Sequence, residues 1–384
     1  MADLIYLDNS ATTAVAPAVA EAMAPFYSNT YGNPSSLHVF GRKAYSAVAE
    51  SRNTIAALLG IQPKEIVFTA GATEANNLAI IGGAFAAGNR KHIITTAIEH
   101  HAVLHSAEWL RTQEFDVTVL DVDPTGRIDP EDVERAIRPD TALVSIMTGN
   151  NEIGTLQPID EVGRICRSHG VLLHTDAVQA LGKVSLPIDA VDLLSISAHK
   201  FHGPKGVGLL FVRDGVKLVP ILHGGGHERD RRSGTENVPG IVGLAAAARL
   251  AFEEQEAVSG KLRALRARLI DTVTRLPGTR LNGHPVESLP HIANFSFEAI
   301  EGESLVMKLD EHGIAVSTGS ACSSPSLEPS HVLVAIGIPI SMAHGSLRVS
   351  MGRDTTSQEI DAFLDVLPNV VTELRSISPF KVGG

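Results

Sequence analysis

From about residue 60 to residue 215 the hydrophobic positions recur in one rhythm: a short β-branched run, a turn of small or polar residues, then a stretch with helical spacing. The runs are Glu65–Thr69, His92–Ile98, Val117–Leu120, Ala142–Met147, Val171–His174, Leu193–Ser197 and Val207–Val212. Apolar runs of this length alternating with helical pattern predict βαβ units and a mostly parallel sheet buried on both faces. Beyond residue 250 the pattern changes. Leu262, Leu265, Leu269, Val273 and Leu276 recur at helical spacing within a charged stretch, which predicts a long amphipathic helix leading out of the sheet. A strand comes next with Ile292, Phe295 and Phe297, then a helix around Leu305–Leu309 and a strand at Leu347–Met351. A final helix is expected to start at Thr356, where Thr356 and Glu359 have capping-box spacing. The expected organisation is a large domain over 15–255 and a smaller α+β domain formed by 1–14 and 256–384.

Composition narrows the class. The chain has 384 residues, 44% of them hydrophobic, so a substantial core is available and disorder fails as a global description. A net charge of −11 argues against a nucleic acid or an anionic membrane as the main partner. No uncharged apolar run reaches the ~20 residues that span a bilayer. The first Lys or Arg is Arg42, so a secretory or transit signal is not expected at the amino terminus. Two cysteines make no disulfide framework, and a reducing, cytoplasmic setting is expected.

Ligands of open parallel sheets bind beyond the carboxyl ends of the strands, so the residues just after each predicted strand carry the functional signal. Gly71-Ala72-Thr73 opens a helix after Phe68-Thr69 and offers first-turn N–H groups to an anion. His100 and His101 come after the second run, Asn150-Asn151-Glu152 after the fourth, Asp176 and Gln179 after the fifth, and Ala198-His199-Lys200 after the sixth. Each alone has a plain structural reading as a cap, a turn or a solvated charge. Together they supply the groups pyridoxal phosphate requires: an amine, a carboxylate for the pyridine nitrogen, donors for the phosphate and a flat group for the ring. Aromatics are only 4% of the chain, so the His100 imidazole is the flat group at hand. Lys200, among small residues and histidines after an apolar strand, is the expected amine, and desolvation there would favour its neutral, nucleophilic form. Lys205, five residues on, is its rival but stands in a Gly-Pro turn.

The two cysteines separate by context. Cys166 falls in a helical pattern with Ile159, Val162 and Ile165 and is expected to be a packed thiol. Cys322 sits in Ser317-Thr318-Gly319-Ser320-Ala321-Cys322-Ser323-Ser324-Pro325, a run expected to form an exposed loop in which a thiolate can act as nucleophile. Arg348, alternating out of an apolar strand, suits bidentate binding of a carboxylate, with a plain surface arginine as the alternative.

Several segments closely resemble the cysteine desulfurases of the NifS/IscS type, which are fold-type I pyridoxal-phosphate enzymes of the class V aminotransferase superfamily. They are Ser197-Ala198-His199-Lys200-Phe201-His202-Gly203-Pro204-Lys205-Gly206, Asp176-Ala177-Val178-Gln179, Asn150-Asn151-Glu152-Ile153-Gly154, Arg231-Arg232-Ser233-Gly234-Thr235-Glu236-Asn237 and Ser320-Ala321-Cys322-Ser323-Ser324. The likeness runs from Tyr6-Leu7-Asp8 to Met351-Gly352-Arg353, nearly the whole chain. It implies a seven-stranded, mostly parallel sheet between helices, with the small domain carrying Cys322. It implies that Lys200 bonds the cofactor, that Asp176 pairs with the pyridinium and that Gln179 meets the phenolic oxygen. His100 would stack on the ring and move protons, while Ala72, Thr73, Ser197 and His199 hold the phosphate. Thr235 would reach the phosphate of a neighbouring subunit in a homodimer, and Asn151 and Arg348 would bind the carboxylate of L-cysteine. Cys322 would take the sulfur as a persulfide and pass it to an acceptor or iron–sulfur scaffold protein.

His227 stands where this family has Gln, and Thr318 where Ser is common. A selenocysteine lyase or another class V aminotransferase is the alternative within the cofactor class. From a different class comes a non-enzymatic metal or sulfur carrier, suggested by the i, i+4 pairs His101/His105 and His223/His227. The glycines between His223 and His227 argue against a helix there, and no metal is expected.

Overall fold

The computed structural model describes residues 4–319 and 329–379. Cys322 and the stretch expected to form its exposed loop lie largely outside the described residues. The strands in chain order are β1 (Ile5–Tyr6), β2 (Ile66–Thr69), β3 (His92–Thr96), β4 (Asp116–Leu120), β5 (Thr141–Ser145), β6 (Leu172–Asp176), β7 (Leu193–Ser197), β8 (Gly208–Val212), β9 (Thr279–Asn282), β10 (Ile292–Phe297), β11 (Ile314–Ala315) and β12 (Ser346–Ser350).

All seven runs read from the hydrophobic pattern join one sheet in the order β2-β8-β7-β6-β5-β3-β4. The neighbours β7-β6-β5-β3-β4 pair in parallel, and β8 runs antiparallel to both β2 and β7. The strand β2 therefore points the same way as β7, and six strands deliver their carboxyl ends to one edge. Every residue of β2, β3, β5, β7 and β8 is buried, which explains why the runs lack alternation. One face of the sheet packs on a core that includes Phe68, Val144, Ile196 and Phe211, and the other on Val67, Ile93, Leu143 and Leu210.

The turn after β2 comes close to the first residue of β8. A Cβ on Gly208 would lie 2.5 Å from the Ile196 carbonyl oxygen and 2.9 Å from the Gly71 backbone, so only glycine lets the Gly71 turn settle against β7. The helix after this turn spans Ala72–Asn77 and Gly83–Ala86, with a π-helical turn at Leu78–Gly82 between them.

The helix expected after residue 250 begins earlier. It is one helix, Val238–Val273, capped by the Asn237 side chain, which accepts from the Gly240 N–H at 3.1 Å. Its first half buries Ile241, Leu244, Ala247 and Ala248 against the large sheet's core, and its second half buries Leu262, Leu265, Leu269 and Val273 in a separate cluster. That second cluster also holds Phe295, Phe297, Leu347, Val349 and Phe363, from the antiparallel sheet β12-β10-β9 and the last helix, Ser357–Ile377. The capping box is present: Glu359 N–H donates to Thr356 Oγ1, and Thr356 N–H to Glu359 Oε2. At the amino terminus β1 pairs in parallel with β11, and Asp8 bridges to Ser350.

A buried ion pair fastens the segment that crosses the β2 edge. Arg52 Nη2 lies 2.6 Å from Glu228 Oε1, while Glu228 Oε2 accepts from Arg52 Nη1 and from the Phe68 N–H. Glu228, Arg229 and Asp230 all have positive φ, a backbone state that non-glycine residues hold only when their surroundings impose it. The predicted consequence is that Arg52→Ala, which strands a buried carboxylate, destabilises the protein by about 3–5 kcal/mol in chemical denaturation; a loss below about 1 kcal/mol would show that this pair does not fasten the segment.

Candidate active site

Beyond the carboxyl ends of the strands lies a cavity of about 1000 Å³ whose lining includes Ala72, Thr73, His100, Asn151, Asp176, Gln179, Ser197, His199, Lys200 and Arg348. Ten of the residues singled out in the sequence thus meet at one place. Thr235 is exposed and does not line it, and Cys322 lies outside the described residues.

Lys200 ends the single 3₁₀ turn Ala198–Lys200 directly after β7. Its Nζ donates to the carbonyl oxygens of Ser10 and Ala11 at 2.6 and 2.8 Å. Asp176 is the last residue of β6 rather than a residue beyond it. Its Oδ2 accepts from Asn76 Nδ2 at 2.7 Å and its Oδ1 from the Val178 N–H at 3.0 Å, which fixes the plane of the carboxylate. Gln179 Nε2 donates to the same Ser10 carbonyl at 3.0 Å.

His100 caps the helix His101–Arg111, its Nδ1 accepting from the Ala102 N–H at 3.0 Å. A backbone amide can only donate, so Nδ1 carries the lone pair and the proton of the neutral ring sits on Nε2. Burial holds the His100 pKa below the usual imidazole value, opposed in part by the Asp176 carboxylate. His199, with Nδ1 3.1 Å from Thr12 Oγ1, is pushed down to about 4 by burial and by the neighbouring Lys200. Both imidazoles are therefore neutral at pH 7.

Arg348 is buried, 3% exposed, which removes the surface-arginine alternative. Its Nη2 pairs with Asp8 Oδ1 at 2.8 Å, and its Nη1 donates to the carbonyls of Asn151 and Gly319 at 3.0 and 3.3 Å. Its Nε, the Ser10 hydroxyl and Asn76 Oδ1 are buried and have no partner among the described residues. Such orphaned polar atoms around a large cavity fit a polar ligand. Cys166 is buried as expected, and burial pushes its thiol up to about 12.

Several members of the site were not foreseen. Asn76, Ser10, Ala11, Thr12 and Asp8 come from elements remote in sequence, and His331 reaches the cavity from the helix His331–Ala335. Its Nε2 donates to the Glu99 carbonyl at 2.9 Å, and its ring lies 4.7 Å from that of His101. The His101 and His105 rings stack at 5.0 Å. Among the described residues no group of three or more His, Cys, Asp and Glu side chains is placed to hold a metal ion. Lys205 also lines the cavity. His227, the departure from Gln, accepts from the Gly234 N–H through Nδ1 at 3.2 Å, within the segment that carries Thr235.

With this geometry in place, comparison with known proteins defines the class. The sequence model of the aminotransferase class-V family matches residues 5–363, and the chain belongs to that family. Within it the chain falls among the NifS/IscS-type cysteine desulfurases. It is 53% identical to the cysteine desulfurase IscS of Methanosarcina thermophila over 98% of this chain and 94% of that protein. It is 50% identical to the corresponding protein of Dictyoglomus turgidum, over 98% and 97% of the two chains. Among solved structures a NifS-like protein superposes with a TM-score of 0.91 at 41% identity, covering 97% of this chain and all of that one. SspA in complex with cysteine superposes with a TM-score of 0.81 at 39% identity, covering 92% of this chain and all of that one. The α/β architecture with its seven-stranded, mostly parallel sheet matches that of these structures.

Glu99, next to His100 in the chain, is fully buried. Its Oε1 accepts from the Met147 N–H and the Thr96 hydroxyl, yet burial raises its pKa to about 8. The folded protein therefore holds a proton that the unfolded chain, titrating near 4.5, releases. The stability this contributes is complete below pH 4.5 and declines as pH rises to 8, by about 1.4 kcal/mol per pH unit. Glu99→Gln, which mimics the protonated acid, is predicted to flatten the stability profile between pH 5 and pH 8 relative to the parent. Parallel profiles in urea denaturation would show that Glu99 is ionised in the folded state.

Proposed function

We propose that this cysteine desulfurase works with pyridoxal 5'-phosphate in the cavity at the carboxyl edge of the large sheet, and that it leaves the sulfur of L-cysteine on Cys322 and releases L-alanine. The observation that carries the reading is the convergence on one cavity of Lys200, Asp176 and His100, from three strand ends of the large sheet, with Arg348, from the middle of β12. The relatives named cysteine desulfurase and the solved relative SspA, in complex with cysteine, support the substrate.

The residues present fit the cofactor. Asp176, its plane set by Asn76 and Val178, would hold a proton on the ring nitrogen. His100 offers a neutral ring for stacking. Gln179 would donate to the phenolic oxygen. The Ala72 and Thr73 amides at the helix start, with Ser197 and the neutral His199, would surround the phosphate by hydrogen bonding. Lys205 on the cavity wall adds a positive charge. When bound, pyridoxal phosphate supplies an electron sink for the bond broken at the substrate Cα.

The chain's own groups account for the remainder. Arg348 and Asn151 would bind the substrate carboxylate, the buried Arg348 Nε–H being the donor still without a partner among the described residues. Lys200 would carry a proton to and from Cα at Nζ, and His100 would exchange one at Nε2, since its Nδ1 is committed to the Ala102 amide. The Cys322 thiolate would bond to the substrate sulfur as the Cβ–S bond breaks. The electron pair stays with carbon, which takes a proton and becomes the methyl group of alanine.

The enzyme would act as a homodimer. Tyr27, Tyr31, Leu37, Phe40 and Tyr45 leave an apolar stretch exposed on the single chain, and the exposed Thr235 would serve a second subunit's site. The persulfide would pass to an acceptor or iron–sulfur scaffold protein in the cytoplasm; no described helix is long and apolar enough to cross a membrane. The separate buried clusters support division into a large domain, 15–255, and a small one, 1–14 with 256–384.

The test is Cys322→Ser in the cofactor-loaded enzyme. L-Cysteine should still perturb the cofactor's absorbance, while persulfide and sulfide formation falls at least ~10³-fold. Undiminished sulfide release would remove Cys322 from the reaction.

A further inference from the structure

Behind the cavity wall lies a histidine that the proposed reaction does not use. His291, immediately before β10, is fully buried, and its Nε2 lies 3.2 Å from Gln179 Oε1. Donor and acceptor identities fix the arrangement. The Ser10 carbonyl oxygen can only accept, so the Gln179 atom 3.0 Å from it is the amide nitrogen. The amide oxygen must then face His291, and an oxygen can meet that ring only through an N–H. His291 is therefore protonated on Nε2. Its Nδ1 is buried without a partner among the described residues. Burial and the positive charges of Lys183, Arg348, Lys200 and Arg266 hold its pKa well below the usual imidazole value, so the ring is neutral throughout the working range.

An imidazole with one nitrogen unpartnered is an unfavourable occupant of a core position that an apolar side chain could fill. The ring gains in return its bond to Gln179. The amide is clamped at both ends, Nε2 by Ser10 and Oε1 by His291, and the second Nε2 hydrogen remains available toward the cavity that Gln179 lines. Reversing the amide would set its oxygen against the Ser10 carbonyl and its NH₂ against the His291 N–H.

We propose that His291 is a positioning residue for the cofactor: its Nε2–H fixes the Gln179 side chain so that an N–H, and not the amide oxygen, faces the phenolic oxygen of pyridoxal phosphate. This rests on the proposed pairing of Gln179 with that oxygen. His291 does not touch the cavity; it acts through Gln179, which in turn shares the Ser10 carbonyl with Lys200. A hydrogen bond donated to the phenolic oxygen stabilises its anionic form, so loosening the donor makes that form harder to reach.

The experiment tracks the pH titration of the bound cofactor's absorbance in the loaded enzyme, with thermal unfolding measured alongside. His291→Leu is expected to raise the titration midpoint by about 0.5 unit, the scale of one hydrogen bond. Gln179→Leu should raise it at least as far, and His291→Gln, whose amide nitrogen can stand in for Nε2, should restore most of the difference. A purely structural His291 would lower the unfolding temperature and leave the midpoint in place. If Gln179→Leu shifts the midpoint and His291→Leu does not, the positioning role is overturned while the assignment of Gln179 stands; if neither shifts it, that assignment fails and the inference with it. ¹⁵N NMR of the unaltered enzyme tests the tautomer without any substitution: the His291 ring should carry its proton on Nε2 alone, and a proton on Nδ1 overturns the proposal.

Discussion

The carbonyl oxygen of Ser10 is the point on which the site turns. It accepts from Lys200 Nζ at 2.6 Å and from Gln179 Nε2 at 3.0 Å, so the amine after β7 and the amide after β6 are set against one atom. The same residue is tied to the small sheet, because its N–H donates to Ser350 Oγ and the neighbouring Asn9 N–H to the Ser350 carbonyl. Two residues earlier, Asp8 holds Arg348. A short amino-terminal segment therefore joins the edge of the large sheet to β12 and fixes Lys200 relative to Arg348. Arg348 would bind the substrate carboxylate while Lys200 works at Cα, and neither sheet alone sets their separation.

The surroundings keep the site's imidazoles neutral. Burial lowers the pKa of His100, His199 and His291 alike, and raises that of Glu99. His174, fully buried between the hydroxyls of Ser145 and Ser195 in the middle of the sheet, is pushed down to about 3. Neutral rings such as His100 and His291, whose proton positions are set by a backbone amide and by the Gln179 side chain, present defined donors near neutral pH. In such a cavity Lys205 and Arg348 would recognise the anionic groups of cofactor and substrate, and Asp176 would oppose them at the ring.

Much of this was legible in the sequence because parallel topology makes position predictive. Once the β-branched runs are read as strands pointing one way, the residues after them share an edge, and His100, Asn151, Gln179, His199 and Lys200 fall into place without knowledge of any contact. Their partners were not legible. Ser10 precedes Lys200 by 190 positions, Asn76 precedes Asp176 by 100 and Asp8 precedes Arg348 by 340, and hydrophobic periodicity says nothing about which remote side chain closes a hydrogen bond. Arg348 looked equally suited to the surface until Asp8 and two carbonyls accounted for its burial. The start of the Val238–Val273 helix was missed for a related reason: its first half, rich in Ala and Gly and buried on several sides, has no polar stripe to mark the period.

The central claim is that Lys200 is the residue to which pyridoxal phosphate attaches in this cavity. Borohydride reduction of the loaded enzyme with subsequent peptide mapping tests it most directly, because reduction makes the link between cofactor and lysine permanent. The account predicts loss of the long-wavelength absorbance and a single labelled peptide with the modification on Lys200. Labelling of Lys205 or Lys183 instead, or no labelled lysine at all, would contradict it.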